Sequence, residues 1–207
     1  MKINVIGATG MIGREVVAEA AARGHEVVAY SRSGKAVQGA AHAAGLDMAD
    51  IARVVEAVGG ADVTIIAVSA GWGGQDPQPV IDAYRGLIAA QPAARIIAVG
   101  GAGSLNADKA GTLIKDTPSF PADYYPEANA FATILQEFRK SHGVDWTVVA
   151  PSPVIAPGKR TGEYVTADDV PAGEGVSVED FAVALIDEAE NPTHRQARFT
   201  VASNGLA

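Results

Sequence analysis

A strand, a glycine turn and a helix at the N-terminus constrain this chain more than any other feature. Residues 2–35 read KINVIGATGMIGREVVAEAAARGHEVVAYSRSGK, with Gly7, Gly10 and Gly13 at every third position between an apolar run and an amphipathic one. Gly7 allows a tight turn out of the strand, Gly10 lets backbone approach a pyrophosphate, and Gly13 lets the helix lie close on the sheet. The helix then offers unpaired N–H groups and the positive end of its dipole to phosphate. The spacing is GxxGxxG rather than GxGxxG. No Gly-Lys-Ser/Thr follows here or at Gly34-Lys35 and Gly158-Lys159, which excludes a Walker A loop. At the first strand-to-helix junction of a βαβ unit, the turn predicts dinucleotide binding.

The same alternation continues along the chain. Strand candidates are 3–6, 26–30, 63–68, 95–99 and 146–149, with a weak one at 40–44. Helix candidates are 11–23, 49–58, 79–90 and 126–140. Strands apolar throughout and separated by helices predict a Rossmann-type α/β fold, a doubly wound parallel sheet covered on both faces. Phe131, Leu135 and Phe138 form a stripe on the last of those helices, read as a buried face that could also serve a dimer contact. The stretch 151–175 is rich in Pro and Gly and is expected to be mostly loop. A helix then opens at Ser177 as N-cap, with Asp180 third, and stops before Pro192; a final strand spans 197–202. The expectation is one domain over 1–207, with 151–207 a small C-terminal appendage completing the substrate side.

Composition narrows the function. The 207 residues are 48% hydrophobic and 19% charged, with a net charge of −8, so a substantial core forms and nucleic acid is a poor partner. No apolar run reaches membrane-spanning length, and no signal-peptide pattern precedes the first strand. The reading is a soluble, cytoplasmic protein, monomer or homodimer. Cysteine is absent, and the four histidines are scattered, so thiol and metal chemistry are both disfavoured.

The second strand ends in Ser31, Arg32 and Ser33, with Lys35 beyond, where an NAD site commonly carries an acidic residue. A guanidinium fork with hydroxyl donors suits a 2′-phosphate, so NADP(H) is preferred over NAD(H). Asp47 can accept from an adenine amino group, with Leu46 and Met48 over the ring; the alternative is a helix cap before Ala49.

VIGATGMIG, AYSRS, VGGAGSL at 99–105, DTPSFPADYYPEA at 116–128 and SVEDFAVALIDEAENP together resemble the NADH-flavin reductase group of atypical, small short-chain dehydrogenase/reductases. That group stands close to the NmrA-like and biliverdin/flavin reductase proteins, and the resemblance covers nearly the whole chain. It implies that Thr9, Met11 and Ile12 line the pyrophosphate with the glycines. Ala67, Val68 and Ser69 would border the cofactor ribose, and Pro151, Ser152 and Pro153, leading into Val154, would touch the nicotinamide.

One departure matters. Typical short-chain dehydrogenases pair a tyrosine with a lysine four residues later, but Tyr30, Tyr84, Tyr124, Tyr125 and Tyr164 all lack it. The serine expected after the fifth strand is replaced by Gly100-Gly101-Ala102, with Ser104 just beyond. Tyr125 and Ser104 are the proton-donor candidates, by position only. Three readings follow: a reductase passing hydride to a flavin, quinone or similar flat acceptor; an NADP-sensing NmrA-like regulator without turnover; or an epimerase of the extended superfamily, which would also want the missing base. Trp72, Phe120, Tyr124 and Tyr125 would suit a flat ring, or serve as core and loop packing.

Overall fold

The computed structural model describes residues 1–206, the Trp72 side chain excepted. The chain runs β1 (Lys2–Ile6), α1 (Met11–Ala22), β2 (Glu26–Ser31), β3 (His42–Gly45), α2 (Ile51–Gly59), β4 (Val63–Ile66), α3 (Gln78–Ala89) and β5 (Arg95–Val99). It continues through α4 (Tyr125–Lys140), β6 (Trp146–Pro151), β7 (Val154–Ala156), β8 (Val165–Asp168), β9 (Gly175–Ser177), α5 (Val178–Glu190) and β10 (Ala197–Ala202). Eight strands form one sheet in the order β3-β2-β1-β4-β5-β6-β10-β8; β7 and β9 make a separate two-stranded piece. Every pairing in the large sheet is parallel except β10 with β8. The strand order reverses at β1, where β1 pairs with β2 on one side and β4 on the other. Such switch points open a crevice at the strands' C-terminal ends.

Alternating side chains on each strand feed two cores. Ile3, Val5, Ile65 and Ile97 pack with Val16, Val17 and Ala20 of α1 and Phe181 and Leu185 of α5. Ile6, Ile66, Ile96 and Ala98 pack with Val54 of α2, Tyr84 and Leu87 of α3, and Ile134 and Phe138 of α4. Phe138 stacks on Trp146 at 5.3 Å between ring centres and meets Tyr84 edge-on at 5.7 Å. Leu135 and Phe138 of the expected stripe are buried, and Phe131 is half-buried. The resulting α/β, doubly wound layout is the one the periodicity predicts.

Several boundaries differ from expectation for local reasons. The strand expected over 63–68 ends at Ile66, because Ala67 turns off beside Gly7 while its N–H still donates to the Ile6 carbonyl (2.8 Å). The helix expected from Ala49 begins at Ile51, capped by Asp50, whose carboxylate accepts from the Arg53 N–H. The 151–175 stretch is mostly loop but holds β7 and β8, and β8 zips antiparallel onto β10 as the sheet's edge. α5 is capped as expected: Ser177 Oγ accepts from the Asp180 N–H (3.1 Å). The Asp180 carboxylate turns away from the cap to hold the 157–163 loop, accepting from the amides of Thr161 (2.7 Å) and Gly162 (2.9 Å).

Candidate functional site

The glycine turn is as tight as its role demands. Gly7 has φ +88°, and a Cβ there would stand 2.3 Å from the Ala67 carbonyl oxygen. A Cβ on Gly13 would stand 2.2 Å from the Gly7 oxygen. These contacts bring the ends of β1 and β4 and the start of α1 into one crevice, with Ala67 and Val68 along its side. Gly10 is the N-cap of α1 and has no side-chain cap; the helix carries no acidic residue in its first turn. Thr9, Gly10 and Met11 are exposed and Ile12 is half-buried. An uncapped helix start of this kind leaves its N–H groups and dipole directed at an anion. The glycine turn therefore fits a dinucleotide pyrophosphate.

The loop after β2 divides its expected residues. Arg32, Ser33 and Lys35 are exposed, and Arg32 makes no ion pair among the described residues. Ser31 is buried instead, its hydroxyl accepting from the Gly34 N–H (3.1 Å) and lying 3.4 Å from Ser33 Oγ. It shapes the turn that presents Arg32 and does not itself project as a ligand donor. Asp47 is exposed and accepts from the Ala49 N–H at 3.0 Å; this is a local turn, and Asp50 is the helix cap. Leu46 and Met48 are buried in the core with Ile6 and Val54, so of this trio only Asp47 is open to a ligand.

At the end of β6, Pro151 and Ser152 are buried and Pro153 and Val154 exposed. The Ser152 hydroxyl, fully buried just past the end of β6, has no hydrogen-bond partner among the described residues. Phe120 is half-buried: Gly103 leaves it room, since a Cβ there would come 3.2 Å from its ring and 2.6 Å from Ala128 Cβ. It packs the 102–104 turn. Tyr124 and Tyr125 are exposed at the start of α4. Trp72 lies in the short helical turn Trp72–Gly74, and its side chain falls outside the described residues.

The two proton-donor candidates part ways. The Ser104 hydroxyl is buried, donates to the Gly101 carbonyl (2.8 Å) and accepts from Arg198 (2.9 Å). Both capacities are spent on holding the turn after β5, so Ser104 is a structural residue. The Tyr125 hydroxyl is weakly held: it accepts from Lys115 Nζ and donates to Asp116 Oδ1, each at 3.5 Å. Lys115 Nζ lies 5.0 Å from the Tyr125 ring centre and 2.7 Å from Asp116 Oδ1. Burial would lower the Lys115 pKa, but its bonds to Asp116 and Tyr125 outweigh this and hold it above the usual lysine range.

Sequence reasoning missed two residues. Glu127, in the first turn of α4, takes the Ser69 hydroxyl hydrogen bond (2.5 Å) and the Ala70 N–H (3.1 Å), tying the loop after β4 to α4. An acidic residue behind Pro126 at a helix start was its only signal. Lys115 had none, since it reaches Tyr125 from ten residues upstream through an irregular loop. No group of three or more His, Asp or Glu able to hold a metal occurs among the described residues.

The family described as NAD(P)H-binding matches residues 7–192, from the first glycine of the turn to the end of the last helix. The chain belongs to the NAD(P)H-binding family. It is 37% identical to the Bacillus subtilis (strain 168) protein YwnB over 98% of this chain and 99% of that one. A "putative NADH-flavin reductase" from Streptococcus pneumoniae TIGR4 superposes with a TM-score of 0.87 at 33% identity, covering 99% of this chain and 100% of that one. A "putative epimerase" from Bacteroides thetaiotaomicron gives 0.85 at 30% identity, covering 100% and 97%. The chain is thus an NAD(P)H-binding protein of oxidoreductase-like kind. No helix among the described residues is long and apolar enough to cross a membrane.

Proposed function

We propose that this protein is a reductase that uses NADP(H) in preference to NAD(H) and reduces a small, flat acceptor such as a flavin or quinone. The observation that carries the reading is the pairing of an uncapped α1 N-terminus with an exposed, unpaired Arg32 at the end of the neighbouring strand. Residues 7–13 would hold the pyrophosphate, and Arg32 with Ser33 would meet a 2′-phosphate in bidentate fashion. Ala67, Val68 and Ser69 would border the ribose, and the Pro151–Pro153 turn past β6, with Pro153 exposed, would touch the nicotinamide end of the cofactor. The dihydronicotinamide, when bound, supplies hydride. The chain's own work is then to orient an acceptor beside it and to keep water away. Tyr124 and Tyr125 offer exposed rings at the start of α4 for a flat molecule.

Steady-state oxidation of NADPH with a panel of flavins and quinones tests the proposal. Turnover with at least one acceptor, at a kcat/KM higher for NADPH than for NADH, is the expected result. Tight NADPH binding without turnover on any acceptor would overturn it in favour of a nucleotide sensor.

A further inference from the structure

We propose that Lys115 and Tyr125 form a proton-donating pair, so that the acceptor is one whose oxygen must gain a proton on reduction: a quinone or other conjugated carbonyl. The inference rests on the reductase reading above and narrows it.

The two residues come from separate segments. Lys115 belongs to the short helical turn Ile114–Asp116, and Tyr125 is the first residue of α4. The ammonium is sheltered, with only 9% of its side chain exposed, and is anchored by Asp116 at 2.7 Å. It stands over the tyrosine ring and 3.5 Å from the hydroxyl. That hydroxyl is the feature that distinguishes Tyr125 from Ser104. It accepts from Lys115 Nζ and donates to Asp116 Oδ1, both at 3.5 Å, the outer limit of hydrogen bonding, so its proton is only weakly held. Tyr125 is 42% exposed, leaving it accessible to a ligand.

Placement joins this pair to the cofactor crevice. Glu127, two residues beyond Tyr125, accepts from the Ser69 hydroxyl and the Ala70 N–H just past β4. Ala128 and Phe120 close over Gly103, just past β5. The start of α4 is therefore fixed against the C-terminal ends of β4 and β5, the first of which pairs with β1. A phenol at that position, with a fixed cation beside it, can give up a proton because the cation offsets the charge left on oxygen.

The chemistry balances. Hydride and one proton together convert a carbonyl to an alcohol or a quinone to a hydroquinone. Hydride from the reduced nicotinamide would bring two electrons and form the new bond to hydrogen, at carbon in a simple carbonyl or at one oxygen in a quinone, and the displaced π electrons would move onto the carbonyl oxygen, in a quinone the opposite one. That oxygen takes the Tyr125 proton as the phenol O–H bond breaks. The cofactor is left oxidised by two electrons, and the phenolate, balanced by Lys115, recovers a proton from water. A flavin differs, because hydride at its N5 yields a stable anionic reduced form with no donor needed.

The test compares Tyr125→Phe, Lys115→Met and Lys115→Arg with the unaltered protein, using NADPH with 1,4-naphthoquinone or FMN. The expected result is a fall of about 100-fold in the naphthoquinone-to-FMN ratio of kcat/KM for Tyr125→Phe. Lys115→Met lowers the ratio about tenfold or more, and Lys115→Arg restores most of it. A solvent deuterium isotope effect on naphthoquinone reduction disappears in Tyr125→Phe. Calorimetric titration of naphthoquinone into the NADP⁺-saturated protein gives a readout independent of turnover, with Kd raised about three- to tenfold by Tyr125→Phe through the lost hydrogen bond. Turnover with an unmoved ratio in both variants overturns the pair and leaves the reductase reading standing. NADPH binding without turnover overturns the reductase reading, and the titration then decides the pair alone, an unchanged Kd for Tyr125→Phe refuting it.

Discussion

Ser69 and Glu127 join the end of β4 to the first turn of α4: the Ser69 hydroxyl donates to Glu127 Oε1 at 2.5 Å, and the Ala70 amide adds a 3.1 Å bond to the same oxygen. The loop they hold contains Gly71, Gly73 and Gly74, all at positive φ, a backbone conformation open to glycine. Charge-assisted bonds to a carboxylate are the stronger kind.

Removing that carboxylate should free the loop. Glu127→Ala is expected to speed amide exchange at residues 69–71 about tenfold or more and to weaken NADPH binding several-fold. Glu127→Gln keeps an acceptor oxygen and should fall between. Exchange rates that match the unaltered protein would show that the loop is held by something else.

The glycine turn yields a graded stability experiment. Gly7→Ala places a methyl group 2.3 Å from the Ala67 carbonyl oxygen at φ +88°. Gly24→Ala meets nothing within 4 Å at φ +80°. Both carry the left-handed backbone cost of about 1–2 kcal/mol, and Gly7 adds overpacking of about 1–3 kcal/mol. Urea denaturation should therefore place Gly7→Ala well below Gly24→Ala, with NADPH affinity lost only in the former. Equal midpoints for the two would contradict the crowding at Gly7.

Arg32 offers a direct test of the proposed cofactor preference. It is exposed and unpaired among the described residues, so its removal leaves no buried partner stranded and should cost little stability. Arg32→Ala is expected to raise the Kd for NADPH by about tenfold or more while changing that for NADH by less than about twofold. If the ratio of the two affinities does not move, the 2′-phosphate lies elsewhere.

The layout of the fold was legible because each layer leaves a periodic trace. Strands such as Val63–Ile66 and Arg95–Val99 are buried at every position and apolar at all but Thr64 and Arg95, as a sheet covered on both faces requires, and the helices between them carry one apolar stripe. The tight glycine turn was legible for a related reason, since Gly7 and Gly13 act through local backbone geometry. Residues whose roles depend on distant partners were not. Ser104 reads as a candidate donor until Arg198, 94 residues away, is seen to occupy its hydroxyl. Lys115 reads as one basic loop residue among others, because no periodic element fixes where an irregular segment returns. β7 and β8 escaped notice because strands of 3 and 4 residues amid Pro and Gly show too little alternation to register.

The acid stability of the protein should hinge on carboxylates buried around α5. Glu188 is 3% exposed, bonded to Arg95 at 2.5 Å and to His194 Nδ1 at 2.9 Å, with the amides of Thr193 and His194 donating at 3.2 and 3.1 Å. Burial pushes its pKa up, but the bonds from His194 and Thr193 outweigh it and hold the pKa below the ordinary 4.5. Asp180 behaves alike: burial raises its pKa, and the bonds from Gly162, Ser203 and Thr161 bring it below 3.8. A group whose folded pKa lies below its unfolded one binds fewer protons when folded. Its stabilisation is complete above the unfolded pKa and is lost as pH falls through the folded one. Unfolding free energy should therefore hold steady from neutral pH down to about 5 and then fall, each such group contributing up to about 1.4 kcal/mol per pH unit. Glu188→Gln should flatten that decline. At pH 7 it should also cost about 3 kcal/mol, because Arg95 is buried and keeps only Asp145 as a charged partner. Urea titrations at pH 7, 5, 4 and 3 measure both effects, and an acid slope unchanged by Glu188→Gln would remove this carboxylate from the account.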